Sequence, residues 1–517
     1  MFKESDKSTQ FDLFGSMSCV LVGRALKVYG NEKGWHNQFR VQVVSRIDES
    51  PYKVLFNEGM GAPNASIATL VGMMILKEAF GWSDAQLFEN CRFNLLVRCS
   101  LGLFNINDEL PAESTYYLLR GRMYNYHKLH GIDLLANTFE TVTSGQVKAF
   151  KVNADSIRMD SKLVSSNIAF YSRYEIIHRT LCLFSKSVDQ KRFYKLSKEE
   201  KGLLDDLLTE EPLKTVYRST KDQICHRLQP IGLLMLRMLK VFKGTNSKTD
   251  EYRLLNRVFC DQYDKTGQHE VELRANETIS PASVQSPHDP DASYRNKGKQ
   301  KVKGYSVNVT ETVSEKGYLD LITDVDVRGA NTPDTAFLKD AVKATAEVTG
   351  QAVTKVYADG AYQSPDNDMK DIDAVYTGIQ GSLPRYIPEE TSEGVILTDT
   401  QTGERIQATP VKRHKKGKGK SWSFITGEGK KIYITENAVR ASQKRKEMKK
   451  RPPEKLRKRN NVEATIFQLS FPLRNAKTKY RGLYKQQAWA SCRCLWINLV
   501  RIVNFMGQTS QRTPQMV

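Results

Sequence analysis

Between residues 304 and 364 the hydrophobic pattern changes period twice. The runs "GYSVNVTETV" and "YLDLITDVDVRG" alternate apolar and polar positions, with Leu319, Leu321, Val325 and Val327 on one face. They predict two β-strands joined as a hairpin across "SEKG". "PDTAFLKDAVKATAEVTG" then takes up helical spacing, with Pro333 near its start and Gly350 at its end, the asymmetry expected of helix termini. In "TKVYADGAYQS" Val356 and Ala358 alternate with Lys355 and Tyr357, a short strand closed by Asp359 and turned at Gly360. Upstream, the first half of "FKVNADSIRMDSKLVSSNIAF" has strand character and ends in Asp160-Ser161. The order is strand, hairpin, helix, strand, and an aspartate closes both the first and the last.

The flanking segments read differently. Residues 63–150 are helical: "SIATLVGMMILKEAF" carries a broad apolar stripe, and Ser83 is a capping residue ahead of Leu87, Leu95 and Leu96. Residues 171–275 are rich in Leu, Lys and Glu at helical spacing, and 281–300 form a Pro/Ser/Asp-rich loop. After Asp359, "AVYTGI", "EGVILTDTQTGERIQATPV" and "KSWSFITGEGKKIYIT" predict a β-rich insertion of about 70 residues, a small-domain length. "EKLRKRNNVEATIFQLSF" and "YKQQAWASCRCLWINLVRIVNF" return to helix, with Trp489 and Trp496, seven apart, read as core. This divides the chain into a helical N-terminal domain (1–150), an α/β part (151–365) with a helical insertion at about 171–280, the β-rich insertion (366–435), and a C-terminal helical segment with a polar tail (436–517). No internal repeat is visible.

Charge narrows the class of partner. The 517 residues carry 78 Lys and Arg against 58 Asp and Glu, a net +20, which points to a polyanion, nucleic acid before membrane. Residues 440–459 alone hold eleven basic and two acidic side chains. The longest apolar run is broken by Lys77 and Glu78, so no membrane span is expected. The N-terminus lacks a signal-peptide core. Eight scattered cysteines without a CxxC pair imply a reducing cytoplasm, without structural zinc. His226 reads as a helix-surface residue.

Three carboxylates stand in matching contexts: Asp160 and Asp359 at strands, and Glu463 on a helix. Arg459, Glu463 and Phe467 are spaced four apart and share a face, while Val462, Ile466 and Leu469 form an adjacent stripe able to pack on a sheet. This register turns Glu463 toward the two aspartates and Arg459 toward a phosphate. Asp155, Asp324 and Asp326 are competing ligands in strand and hairpin positions.

On these residues the sequence resembles a bacterial insertion-sequence transposase of the DDE class. "RMDSKLVSSNIAFYSRYEII" is similar to the first-Asp region, and "DPDASYRNKGKQKVKGYSVNV" to the loop and hairpin after it. "VRGANTPDTAFL" resembles the lead into the helix, "VYADGAYQS" the second-Asp strand, and "NNVEATIFQLSFPLRNAKTKYRGLYKQQAWA" the Glu helix. "LKEAFGWSDAQLFENCRFNLLVRCSLGL" fits the N-terminal helical module. The resemblance runs over about residues 60–505 in the order the family requires.

The resemblance implies an α/β fold: a ribonuclease-H-like mixed sheet with helices, joined to the N-terminal all-α domain and carrying the two insertions. It implies a catalytic and metal-binding triad of Asp160, Asp359 and Glu463. Mg²⁺ is the expected cofactor, with Mn²⁺ able to substitute. The implied partner is double-stranded DNA, both transposon terminal inverted repeats and target, engaged by a homodimer of a cytoplasmic, nucleoid-associated bacterial protein. Arg459, Lys449, Lys450, Arg451 and Arg481 are the candidate DNA contacts. One departure stands out. Many relatives frame the Glu as Tyr-x2-Arg-x3-Glu-x6-Lys, and here the Tyr and Lys places hold Leu456 and Ser470. Two other readings stay open: a related metal-dependent nuclease that does not join strands, and a non-catalytic DNA-binding protein of the same fold.

Overall fold

The computed structural model describes residues 1–512 apart from 6–14, 58, 60–62, 268–269, 299, 316, 370, 379–382, 393, 412–419, 451 and 453–456. The chain is mixed α/β, with helices at both ends around a six-stranded sheet.

In the N-terminal part, helix α1 (Ile67–Phe80) starts where the Ser66 side chain accepts from the Thr69 N–H and ends where Gly81 turns left-handed at φ 67°. Every residue from Ile67 to Lys77 is buried, so this helix is enclosed rather than amphipathic. Ser83 forms the expected capping box with Gln86. Helices α2 (Glu113–His130) and α3 (Leu134–Phe150) complete this layer.

Strand β1 (Ser156–Ser165) leads into the sheet. The next sheet strands are β2 (Ser293–Lys297), β3 (Gln300–Thr312), β4 (Ile322–Gly329), β5 (Lys355–Ala358) and β6 (Asp373–Tyr376), with helix α4 (Leu338–Thr349) between β4 and β5. The central order is β3-β1-β5-β6. β3 runs antiparallel to β1, whereas β5 and β6 are parallel to it. The far edge of β3 is shared, with β2 on its first residues and β4 on the remainder. The hairpin and helix thus form where the alternation predicts them.

Three features depart from the pattern. β2 lies inside the stretch read as loop, because "SYRNK" is polar throughout and is held by pairing with β3 rather than by alternating burial. β6, within the segment read as insertion, joins the main sheet beside β5. β1 does not stop at Asp160 but continues to Ser165 against β3, where Lys162 and Ser161 occupy positions that composition marks as turn-like. Gly304 permits that pairing: a Cβ there would lie 2.2 Å from the Val164 carbonyl oxygen.

The two faces of the sheet bury different partners. Ile157, Met159, Val356 and Ala358 pack against Phe337, Leu338 and Ala341 at and beside the start of α4. On the opposite face Val164, Tyr305, Val307 and Val309 share one core with α1 and its neighbouring helices and with the long C-terminal helix. The helices between Arg173 and Gln262 gather around a separate core that includes Phe184, Met235, Phe242 and Val258. Downstream of β6, strands between Tyr386 and Thr435 form two three-stranded antiparallel sheets joined through Val395, Leu397, Trp422 and Phe424. The chain then enters α5 (Glu436–Lys450), α6 (Asn461–Ser470) and α7 (Leu483–Arg512). Trp489 is buried within the shared core, and Trp496 packs on Trp35 and Phe80. No helix among the described residues is long and apolar enough to cross a membrane.

Candidate active site

Parallel pairing sets Arg158 beside Tyr357 at the end of the β1–β5 ladder. Two residues farther along each chain come Asp160 and Asp359, so they stand abreast on one face of the sheet just where β5 leaves it. Asp359 caps the 3-10 turn Gly360–Tyr362, and its carboxylate accepts from the Gly360 N–H at 2.6 Å. Asp160 accepts from the Ser161 N–H at 2.8 Å.

Helix α6 lies on this face. Val462, Ile466 and Leu469 are buried, as their spacing predicts, and the helix packs on β1 and β3. Its first turn carries Glu463. Arg459 sits in the turn just before the helix rather than on it, and bridges two of the carboxylates: one guanidinium nitrogen lies 2.7 Å from Asp160 and the other 2.9 Å from Glu463. Side-chain exposure is 18% for Asp160, 13% for Arg459 and 61% for Glu463. Burial raises the Asp160 carboxyl above the usual aspartate range. Arg459 and the Ser161 N–H oppose that shift, and Asp359 and Glu463 reinforce it. The three predicted carboxylates and Arg459 therefore form one electrostatic cluster. Among the described residues no three His, Cys, Asp or Glu side chains stand in an arrangement that could hold a metal ion. Between Asp160 and Glu463 the bridging cation is Arg459.

Directly beneath lies a network that hydrophobic patterning does not reveal. Glu311 on β3, fully buried, accepts from the Arg158 Nε at 2.5 Å, from an Arg501 guanidinium nitrogen at 2.6 Å and from the Thr465 hydroxyl at 2.6 Å. Arg158 also pairs with Asp320 at 2.9 Å. Although burial alone would raise it, Arg501 and Arg158 hold the Glu311 carboxyl below its ordinary value. Arg158 is two residues before Asp160, and Thr465 is two residues after Glu463. The network therefore ties the Asp160 strand to the Glu463 helix and both to α7. A glutamate inside an alternating strand and an arginine on the last helix were the only signals the sequence offered.

The competing carboxylates fall elsewhere. Asp324 and Asp326 pair with Thr310 and Asn308, so they occupy the face opposite Asp160. Asp155 precedes β1, and its carbonyl accepts from the Thr354 and Lys355 N–H groups. Of the candidate DNA contacts, Lys450 is exposed at the end of α5. Arg481 donates to the Asn167 carbonyl at 2.7 Å. Arg451 and the Lys449 side chain lie outside the described residues, as does Leu456. Several α5 charges are neutralised internally: Lys444 pairs with Asp368, Lys446 with Glu389 at 2.7 Å, and Arg440 with Glu436 at 2.6 Å. Ser470, at the family's Lys position, donates to the Ile466 carbonyl at 2.9 Å.

No curated protein and no solved structure matches the chain. Residues 31–122, the helical segment that contains α1 and most of α2, match the family model of the transposase domain DUF772, and a transposase domain implies a transposase role for this chain.

Proposed function

We propose that this protein is a DDE transposase with a ribonuclease-H-like catalytic domain, in which Asp160, Asp359 and Glu463 form the catalytic set. The observation that carries this reading is that Asp160, on β1, and Asp359, just past the end of β5, each follow by two residues the last pair of a parallel ladder, with a neighbouring helix whose first turn presents Glu463. The strand–hairpin–helix–strand order and the match to a transposase domain support it.

The residue types suit a hard divalent cation such as Mg²⁺, with Mn²⁺ as substitute. In this arrangement, however, Arg459 occupies the place between Asp160 and Glu463, and the three carboxylates do not by themselves form a metal cage. All three side chains offer carboxylate oxygens, the donor type such an ion takes. Asp160, Asp359 and Glu463 would hold such ions, which supply activation of the attacking oxygen and stabilisation of the leaving one. The protein's own groups do the rest. Asp160 and Asp359 are fixed by a strand and a capped turn, Glu463 by a helix clamped through Thr465 and Arg501, and Arg459 holds Asp160 and Glu463 together with its two terminal guanidinium nitrogens. The chemistry is hydrolysis at the transposon end, which frees a 3′-hydroxyl, followed by attack of that hydroxyl on a target phosphodiester. No covalent protein–DNA bond is needed. The partners are double-stranded DNA at the element ends and at the target, bound by a homodimer in the bacterial cytoplasm.

The test is metal-dependent cleavage and joining on DNA that carries the repeats flanking the coding region. Cleavage with joined product supports the proposal. Cleavage without joining leaves a nuclease, and binding without either leaves a DNA-binding protein.

A further inference from the structure

A cavity of about 300 Å³ lies where α1, α2 and the start of α7 meet. Its inner wall is apolar, with Met74, Met123 and Trp489 all buried. Its polar wall is cationic: Lys77, Arg120 and Lys485 stand against one carboxylate, Glu78, which already accepts from the Tyr480 hydroxyl. Lys77 pairs with Asp84 at 2.5 Å, whereas Arg120 comes no nearer that carboxylate than 3.8 Å. Among the described residues the Arg120 guanidinium makes no hydrogen bond, and neither do the Tyr116 and Tyr484 hydroxyls in the same lining. Guanidinium nitrogens can only donate, so the cavity holds donors that lack an acceptor. Gly121, in the middle of α2, borders it. Glycine weakens a helix interior, and a Cβ built there meets nothing from neighbouring elements within 4 Å. Packing does not require this glycine; it leaves the rim of the cavity open.

We propose that this cavity is a binding site for a small aromatic anion, its ring on Met74, Met123 and Trp489 and its acidic group between Arg120 and the Tyr116 and Tyr484 hydroxyls. Charge complementarity selects the acidic group, because three cations face one carboxylate that is already hydrogen-bonded. Burial pushes the Glu78 carboxyl up toward its neutral form, which leaves the lining more positive still. Thioethers and an indole select the ring, since both favour flat aromatic faces. The volume is at the low end for organic ligands. A duplex phosphate is not the occupant, because DNA carries its phosphates on the outside and Tyr116 is only 1% exposed. The lining comes from α1, α2 and α7, so a bound anion ties the C-terminal helix to the N-terminal ones.

The test is a fluorescence titration of the full chain with anilinonaphthalene sulfonate, an aromatic anion that brightens on leaving water. Phenylnaphthylamine, the same rings without the sulfonate, is the neutral control. Wild type should bind the sulfonate with a melting temperature that rises with probe concentration. The neutral probe should bind roughly 10- to 100-fold more weakly, the range a charge-assisted hydrogen bond is worth. Arg120→Gln should lose that factor for the sulfonate and leave the neutral probe unchanged. Gly121→Leu adds bulk at an open helix position. It should weaken both probes while keeping or raising the melting temperature measured without them. Equal affinity of wild type for the two probes would overturn the proposal, as would unaltered sulfonate binding in either variant. Displacement of the probe by duplex or single-stranded DNA would overturn it too, by making the cavity part of the DNA track.

Discussion

Arg501, on the last helix, donates to Glu311 in the middle of the sheet across 2.6 Å, in a place with no access to water on the Glu311 side. Removing one member of such a pair leaves the others charged and buried. Glu311→Gln, facing both Arg158 and Arg501, should therefore cost about 3–5 kcal/mol of unfolding free energy, measured by denaturant titration. Glu311 titrates lower folded than unfolded, so its contribution is complete above the unfolded value near 4.5 and is lost as pH falls through the folded one. The gap between wild type and variant should be widest at neutral pH and narrow on acidification. A gap independent of pH would show that the carboxylate charge is not what holds the network.

Asp160→Asn, Asp359→Asn and Glu463→Gln should each abolish DNA cleavage while DNA binding largely survives. Each change keeps the side chain's shape and removes the negative charge. Any one variant that cleaves at the wild-type rate takes its residue out of the site.

Arg459 has two carboxylates to serve and a planar fork with which to serve them. A lysine ammonium cannot span both. Arg459→Lys should slow single-turnover cleavage at saturating DNA, whereas Lys458→Arg, whose native ammonium lies over the Tyr357 ring, should change little. Wild-type turnover in Arg459→Lys would reduce the site to its three carboxylates.

DNA affinity should fall steeply with salt, since bound lysines and arginines displace counterions from phosphates. Replacing Lys449, Lys450 and Arg451 with alanine should flatten the log–log slope by about one for each phosphate that is no longer neutralised. Lys444→Ala, which breaks the pair with Asp368, should instead lower the melting temperature of the protein with little effect on slope. An unchanged slope in the triple variant would assign that run to solvent.

Periodicity made the main elements legible because burial in them is one-sided. Val356 and Ala358 face one core, and Val462, Ile466 and Leu469 another, so their spacing carried both the strand and the helix. Where pairing rather than burial holds the chain, the pattern was silent. The polar strand Ser293–Lys297 was hidden for that reason, as was the continuation of β1 beyond Asp160. The carboxylates could be named from their contexts, but Arg459's position between two of them could not, since it depends on a register across 299 residues. Glu311 was missed because an ion pair inside a sheet leaves no periodic mark.

The Glu311 network also orders events in time. Its arginines stand 153 residues before and 190 residues after it in the chain. A ribosome that has delivered both aspartates and even Glu463 has not yet delivered Arg501. Until α7 emerges, Glu311 lacks its second arginine and the N-terminal helices lack the surface that closes their shared core. Completion of the network therefore waits on the helix that comes last among its members in chain order. A chain in which Arg501 has not yet docked holds the strand of Asp160 and the helix of Glu463 through Glu311 with one arginine instead of two.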